Sequence, residues 1–112
     1  MLSKNYRMKK NSQFDYIFKN GKTLKHGKLL MFYSKSKSKT PKIGVVVSKK
    51  IGKSVTRNHV KRLIRESIHQ NMKSLNNDLN YIFVARQGIE CLNFNEINTS
   101  INSLVTKNKL ND

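Results

Sequence analysis

The sequence has one cysteine, five glycines and six acidic residues in 112 positions, and each shortage removes a class of function. With Cys91 alone no internal disulfide can form, which points to a reducing compartment; Cys91 itself reads as a small, partly buried side chain. The three histidines, His26, His59 and His69, are scattered, and without a Cys-x-x-Cys pair they give no metal-ligand spacing. A metal-dependent nuclease needs two or more carboxylates beside its substrate groove. The basic half of the chain offers only Asp15. Ile51-Gly52-Lys53-Ser54 carries a single glycine, too few for a phosphate-binding loop. Neither His59 nor His69 has an obvious acid to orient it as a general base. No apolar run is long enough to span a membrane, and the N-terminus lacks the apolar centre of a secretory signal. The expectation is a cytoplasmic protein with no membrane partner, no catalytic residue and no metal site of its own.

What is present in excess is positive charge. Twenty-three basic residues against the six acids give a formal net charge of +17. The imbalance is local: residues 1–65 hold 19 basic residues against Asp15, whereas residues 66–112 hold 4 against 5 acids. Folding gains nothing from such self-repulsion, so a polyanionic partner is implied. A drift of composition toward Lys would have loaded both halves.

Taken in order, residues 1–10 read as a basic, extended lead-in. A short helix follows from Ser12, where Ser12 and Asp15 have capping-box spacing. Phe14, Ile17 and Phe18 share one face of it, and by pattern alone the two phenylalanines are core residues. Lys28 to Lys35 predicts a strand with both faces apolar, Leu30 and Phe32 on one side and Leu29, Met31 and Tyr33 on the other. Residues 36–41 form a polar connection able to close a hairpin onto a second strand, Lys42 to Ser48, in which Gly44 marks a bulge or a close approach.

Val47 to Glu66 carries the densest charge, with Lys49, Lys50, Lys53, Arg57, Lys61, Arg62 and Arg65 and no acid between them. Ser54 or Thr56 would cap a helix here. Val60, Leu63, Ile64, Ser67, Ile68 and Asn71 make its inner face, and Asn58, Arg62, Arg65 and His69 an opposite stripe. A merely solvated face would intersperse acids at i+4; only Glu66 is near. Asn80 to Ala85 predicts a third strand, parallel to the second across that helix. Asn93 and Glu96 have capping-box spacing before a last helix, with Leu92 and Ile97 as its staple and fraying over 107–112. The order is α-β-β-α-β-α, an α+β sandwich in one RNA-binding domain over residues 1–112.

Ser48-Lys49-Lys50-Ile51-Gly52, then Arg57-Asn58-His59, then Val60-Lys61-Arg62-Leu63-Ile64-Arg65-Glu66 resemble the protein component of bacterial ribonuclease P. Lys10 to Phe14, Phe18 to Gly21 and Tyr81 to Arg86 extend the resemblance over nearly the whole chain. It implies a ribosomal-protein-like fold with a left-handed βαβ crossover. It also implies that a partner RNA, with bound Mg²⁺, hydrolyses the phosphodiester that releases the 5′ leader of precursor tRNA. By position, Arg57, Asn58, Lys61, Arg62 and Arg65 would contact that ribonuclease P RNA, with Lys49, Lys50 and Lys53 beside them, at 1:1 stoichiometry. Phe14, Phe18, Leu30 and Phe32 would line a cleft for the leader, which reverses the core assignment of the two helix phenylalanines. His59 departs from the family, which usually has Arg there, so one permanent phosphate contact of the family pattern is missing. A ribosomal or general RNA-binding protein shares the charge, size and helix, and is the alternative.

Overall fold

A computed structural model describes residues 6–36 and 41–111 of the chain. Three helices, α1 (Asn11–Asn20), α2 (Ser54–Gln70) and α3 (Phe94–Asn111), combine with four strands, β1 (Lys22–His26), β2 (Leu29–Lys35), β3 (Ile43–Val46) and β4 (Leu79–Ala85). The strands form one sheet in the order β1-β2-β4-β3. The α+β class is as expected, and β3-α2-β4 is the parallel unit predicted.

Two features of the sheet differ from the expectation. β2 and β3 do not close a hairpin on one another: β2 pairs antiparallel with β1 and β4, and β3 reaches only β4. Residues 37–40 of the expected hairpin connection, like residues 1–5 of the lead-in, lie outside the described residues. The hairpin partner of β2 is instead β1, turned at Gly27, whose φ of 58° a side chain would resist. β1 escapes the pattern because it contains only Leu24 as an aliphatic residue; it gains its place by pairing. Lys22 and Lys25 on it suit an edge strand, where charge discourages further pairing.

The inner face of the sheet is covered by α2 and α3. Leu29, Met31, Tyr33, Ile43, Tyr81, Phe83 and Ala85 pack there with Val60, Ile64 and Ile68 of α2 and Ile97, Ile101, Leu104 and Val105 of α3, all buried. Between the two helices runs a polar seam. Ser67 Oγ donates to Asn98 Oδ1 at 2.6 Å, Asn71 Nδ2 to the same oxygen at 2.9 Å, and Asn102 Nδ2 to Asn71 Oδ1 at 3.1 Å. The buried Asn71 amide is thus paired, which fixes the helix register more than it adds stability. His26 Nδ1 and Ser100 Oγ, 3.1 Å apart, tie β1 to α3.

Helix starts divide between expectation and correction. At α3 the reciprocal box forms as read: Glu96 N–H donates to Asn93 Oδ1 at 2.9 Å, and Asn93 N–H to Glu96 Oε1 at 3.1 Å. α3 then runs from Phe94 through Asn111. α1 begins one residue before Ser12, after Lys10, and α2 after Lys53, so neither Ser12 with Asp15 nor Ser54 or Thr56 acts as cap. A lysine side chain only donates hydrogen bonds and cannot cap an N-terminus. Both helices are held by packing. Cys91 is exposed rather than partly buried, at the end of a short turn.

Candidate nucleic-acid interface

The outer face of the sheet is organised in three rows across β2, β4 and β3. Register places Leu30, Val84 and Val46 in one row, Phe32, Ile82 and Gly44 in the next, and Ser34, Asn80 and Lys42 in the third. α1 lies along the middle row. Ile17 is buried against Ile82 together with Met8. Phe14 sits over Gly44, where a Cβ would come within 2.5 Å of its ring, so Gly44 is a close approach and not a bulge. Phe18 meets Phe32 edge to face, with ring centroids 4.9 Å apart.

At about 100° per residue, Phe14 and Phe18 fall to one side of Ile17 on α1, and Gln13 and Tyr16 to the other. The phenylalanines therefore look onto the apolar row. Phe14, Phe32, Val46 and Val84 are half-buried, and Phe18 remains 42% exposed. All four residues expected to line a cleft, Phe14, Phe18, Leu30 and Phe32, meet on this face. Val46 and Val84 join them and were missed; once β3 and β4 are paired with β2, strand alternation would have found both. Phe14 is intermediate between the two sequence readings: its ring rests on Gly44, yet part of it faces solvent.

The cations gather around α2. Lys49 and Lys50 stand exposed on a short 3-10 turn, and Lys53 at the helix entrance. Asn58 and Arg62 are exposed along the stripe, while Arg57 and Lys61 are half-buried. Arg57 also acts locally. Its Nε donates to the Gly52 carbonyl at 3.1 Å and its guanidinium to Ser54 Oγ at 3.1 Å, clamping the basic turn to the helix.

Arg65 is not simply outward. It is half-buried, and burial first and the charge of Arg7 second hold its pKa below the ordinary arginine value. Arg7 belongs to the chain segment that bridges Ile43 at the free edge of β3, with Met8 N–H donating to the Ile43 carbonyl at 2.8 Å. Arg7 Nε is shielded from solvent and has no hydrogen-bond partner among the described residues. Sequence reasoning missed Arg7 as a neighbour of the stripe, because nothing local to it signals pairing with a strand 36 residues away. Its segment links the two surfaces, Met8 under α1 and Arg7 toward α2.

The model of the family described as Ribonuclease P matches residues 2–109. The chain belongs to the ribonuclease P protein family. It is 38% identical over 104 residues to the ribonuclease P protein component of Clostridium kluyveri, covering 91% of this chain and 93% of the relative. With that of Macrococcus caseolyticus the identity is 41% over 101 residues, covering 89% and 87%. The structure of the Staphylococcus aureus RNase P protein superposes with a TM-score of 0.85 at 30% identity, over 93% of this chain and 95% of that one. The fold of the Thermotoga maritima RNase P protein is also shared, with a TM-score of 0.83 at 24% identity over 90% and 96%.

Ribonuclease P is a metal-dependent ribonucleoprotein enzyme, so the donor set of this chain matters. Among the described residues no three His, Cys, Asp or Glu side chains come together. The described side chains therefore offer no cluster that fits a resident divalent ion, and no step of the reaction is assigned to a metal held by them. Among the described residues no helix is long and apolar enough to cross a membrane.

Proposed function

We propose that this chain, as the protein component of the ribonuclease P endoribonuclease, serves tRNA 5′ processing by holding RNA on two surfaces of one RNA-binding domain, residues 1–112. The carrying observation is the half-covered outer face, where Phe18 stands 42% exposed against half-buried Phe32, in a domain whose α2 bears a basic stripe. Exposed rings stack on unpaired bases with little regard for sequence, worth about 1–3 kcal/mol per base. That suits the single-stranded 5′ leader of precursor tRNA, lying over Phe14, Phe18, Leu30 and Phe32.

Lys49, Lys50, Lys53, Arg57, Asn58, Lys61, Arg62 and Arg65 would meet the phosphates of the ribonuclease P RNA, one protein to one RNA. Each neutralised phosphate releases a counterion, and for Arg65 it also relieves the repulsion from Arg7. Mg²⁺ is held mainly by the RNA, whose groups carry the hydrolysis, and the setting is the cytoplasm. The chain's own work is to bind and orient.

Mixing the protein with ribonuclease P RNA and precursor tRNA at low and high Mg²⁺ tests this. The expected result is no cleavage by protein alone and a rescue of RNA-directed cleavage at low Mg²⁺. Cleavage by protein alone, or RNA activity that the protein leaves unimproved at low Mg²⁺, would overturn the reading.

A further inference from the structure

The flank of α1 away from the phenylalanines carries two adjoining cavities, one on the third row of the outer face and one reaching past the end of the sheet to Tyr33 and Leu79. One, of about 370 Å³, is lined by Ser12, Gln13, Tyr16, Ser34, Lys35 and Lys42 among others. The second, of about 590 Å³, shares Tyr16, Ser34 and Lys35 with it and adds Lys22, Asn76 and Asp78. Both lie in the size range of clefts that hold small organic groups, about 300–1,000 Å³.

Three observations point to an occupant. Tyr16 is 60% exposed and, with Phe18 and Val55, one of three large apolar or aromatic side chains left exposed among the described residues. It is not a member of either core cluster, and it lines both cavities. Ser34 Oγ, on their shared wall, is shielded from solvent and has no hydrogen-bond partner among the described residues. A hydroxyl in that position can turn to donate to, or accept from, a group entering the cavity. Lys22 and Lys35 flank the opening on an otherwise basic half of the chain, with Asp78 the acid among the lining residues.

An aromatic plate, an unmet hydroxyl and flanking ammonium groups are what one unpaired nucleotide uses: a face for the base, a partner for its edge or sugar, and cations for its phosphates. We propose that this flank is a second nucleotide subsite, which takes a base of the same single strand after it has passed over α1 from the phenylalanine side. The proposal rests on the leader reading above and deepens it. Precursor tRNAs with short leaders would fill the phenylalanine row alone; longer leaders would cross α1 and stack on Tyr16.

The experiment is a binding series with holoenzyme and precursor tRNAs of increasing leader length. It compares the unaltered protein with Tyr16→Ala, Tyr16→Phe and Phe18→Ala. Loss of one stack predicts that Tyr16→Ala weakens binding about 5- to 100-fold for long leaders and leaves short ones unchanged. Tyr16→Phe, which keeps the ring, should bind long leaders within about twofold of the unaltered protein. Equal binding by Tyr16→Ala at every length, while Phe18→Ala still loses affinity, would overturn the second subsite and leave the cleft standing. A loss by Tyr16→Ala that is the same at every length would also overturn it, marking a structural role. If Phe18→Ala too binds every leader as the unaltered protein does, the leader reading itself fails.

Discussion

The two faces of the sheet are built from the same strand alternation and end in opposite conditions. On the inner face every apolar side chain of β2 and β4 is closed over by α2 and α3. On the outer face one ten-residue helix rests on Ile82 through Ile17 and leaves Phe18, Phe32, Val46 and Val84 with solvent beside them. Two helices are enough to close one face; one helix, set along the middle row, divides the other into an apolar groove and a polar one. On the proposed reading the first face carries stability and the second holds the leader, so damage to each should look different.

The largest effect is expected inside. Phe83→Ala, at a fully buried position, should cost about 3–5 kcal/mol and lower every RNA-binding activity together, because the fold is lost. Denaturant unfolding measures it, and a loss under about 1 kcal/mol would break the distinction between the faces. Gly44→Val comes next, since its side chain would drive into the Phe14 ring. Overpacking of this kind costs about 1–3 kcal/mol. Leader binding should fall further than the same destabilisation placed on the inner face would produce, as Phe14 is pushed off the groove. Equal losses from both sites would show the groove to be ordinary core.

The cationic side should respond to salt more than to heat. Arg62→Ala should leave stability within about 0.5 kcal/mol and reduce the salt slope of RNA binding by about one unit. Arg65→Met should weaken RNA binding as well, but raise the melting temperature of the free protein at low salt. The sign follows from its lowered pKa: the folded state binds that proton less firmly than the unfolded chain, so keeping Arg65 charged costs stability below its folded pKa, including neutral pH. A drop in melting temperature would mean that packing of its aliphatic stem outweighs the cost of burying its charge and the repulsion from Arg7.

The inner face was legible in the sequence because periodicity reports burial directly. Val60, Ile64 and Ile68, and Ile97, Ile101 and Leu104, fall on one side of their helices at any register. The α3 capping box was equally legible, since its two partners are three residues apart. The outer face was only half legible. Leu30 and Phe32 announced a second apolar face on β2, but whether it would be closed depended on how α1 sits and on Gly44 admitting Phe14. β1 carried too little hydrophobicity to be seen, and with it went the correct hairpin. Pattern alone assigned Phe14 and Phe18 to the core and the resemblance assigned them to a cleft; the structure leaves Phe14 half-buried and Phe18 42% exposed. Arg7 beside Arg65 is a long-range pairing that no local signal encodes.

The claim most open to a single test is that the outer face holds the leader and nothing else of the tRNA. Affinity of holoenzyme carrying Phe18→Ala should be compared for precursor tRNA and for the same tRNA without its leader. The account predicts a loss of about 5- to 100-fold for the precursor and none for the leaderless tRNA. An equal loss for both would contradict it, and would move Phe18 from a leader contact to a support of the fold.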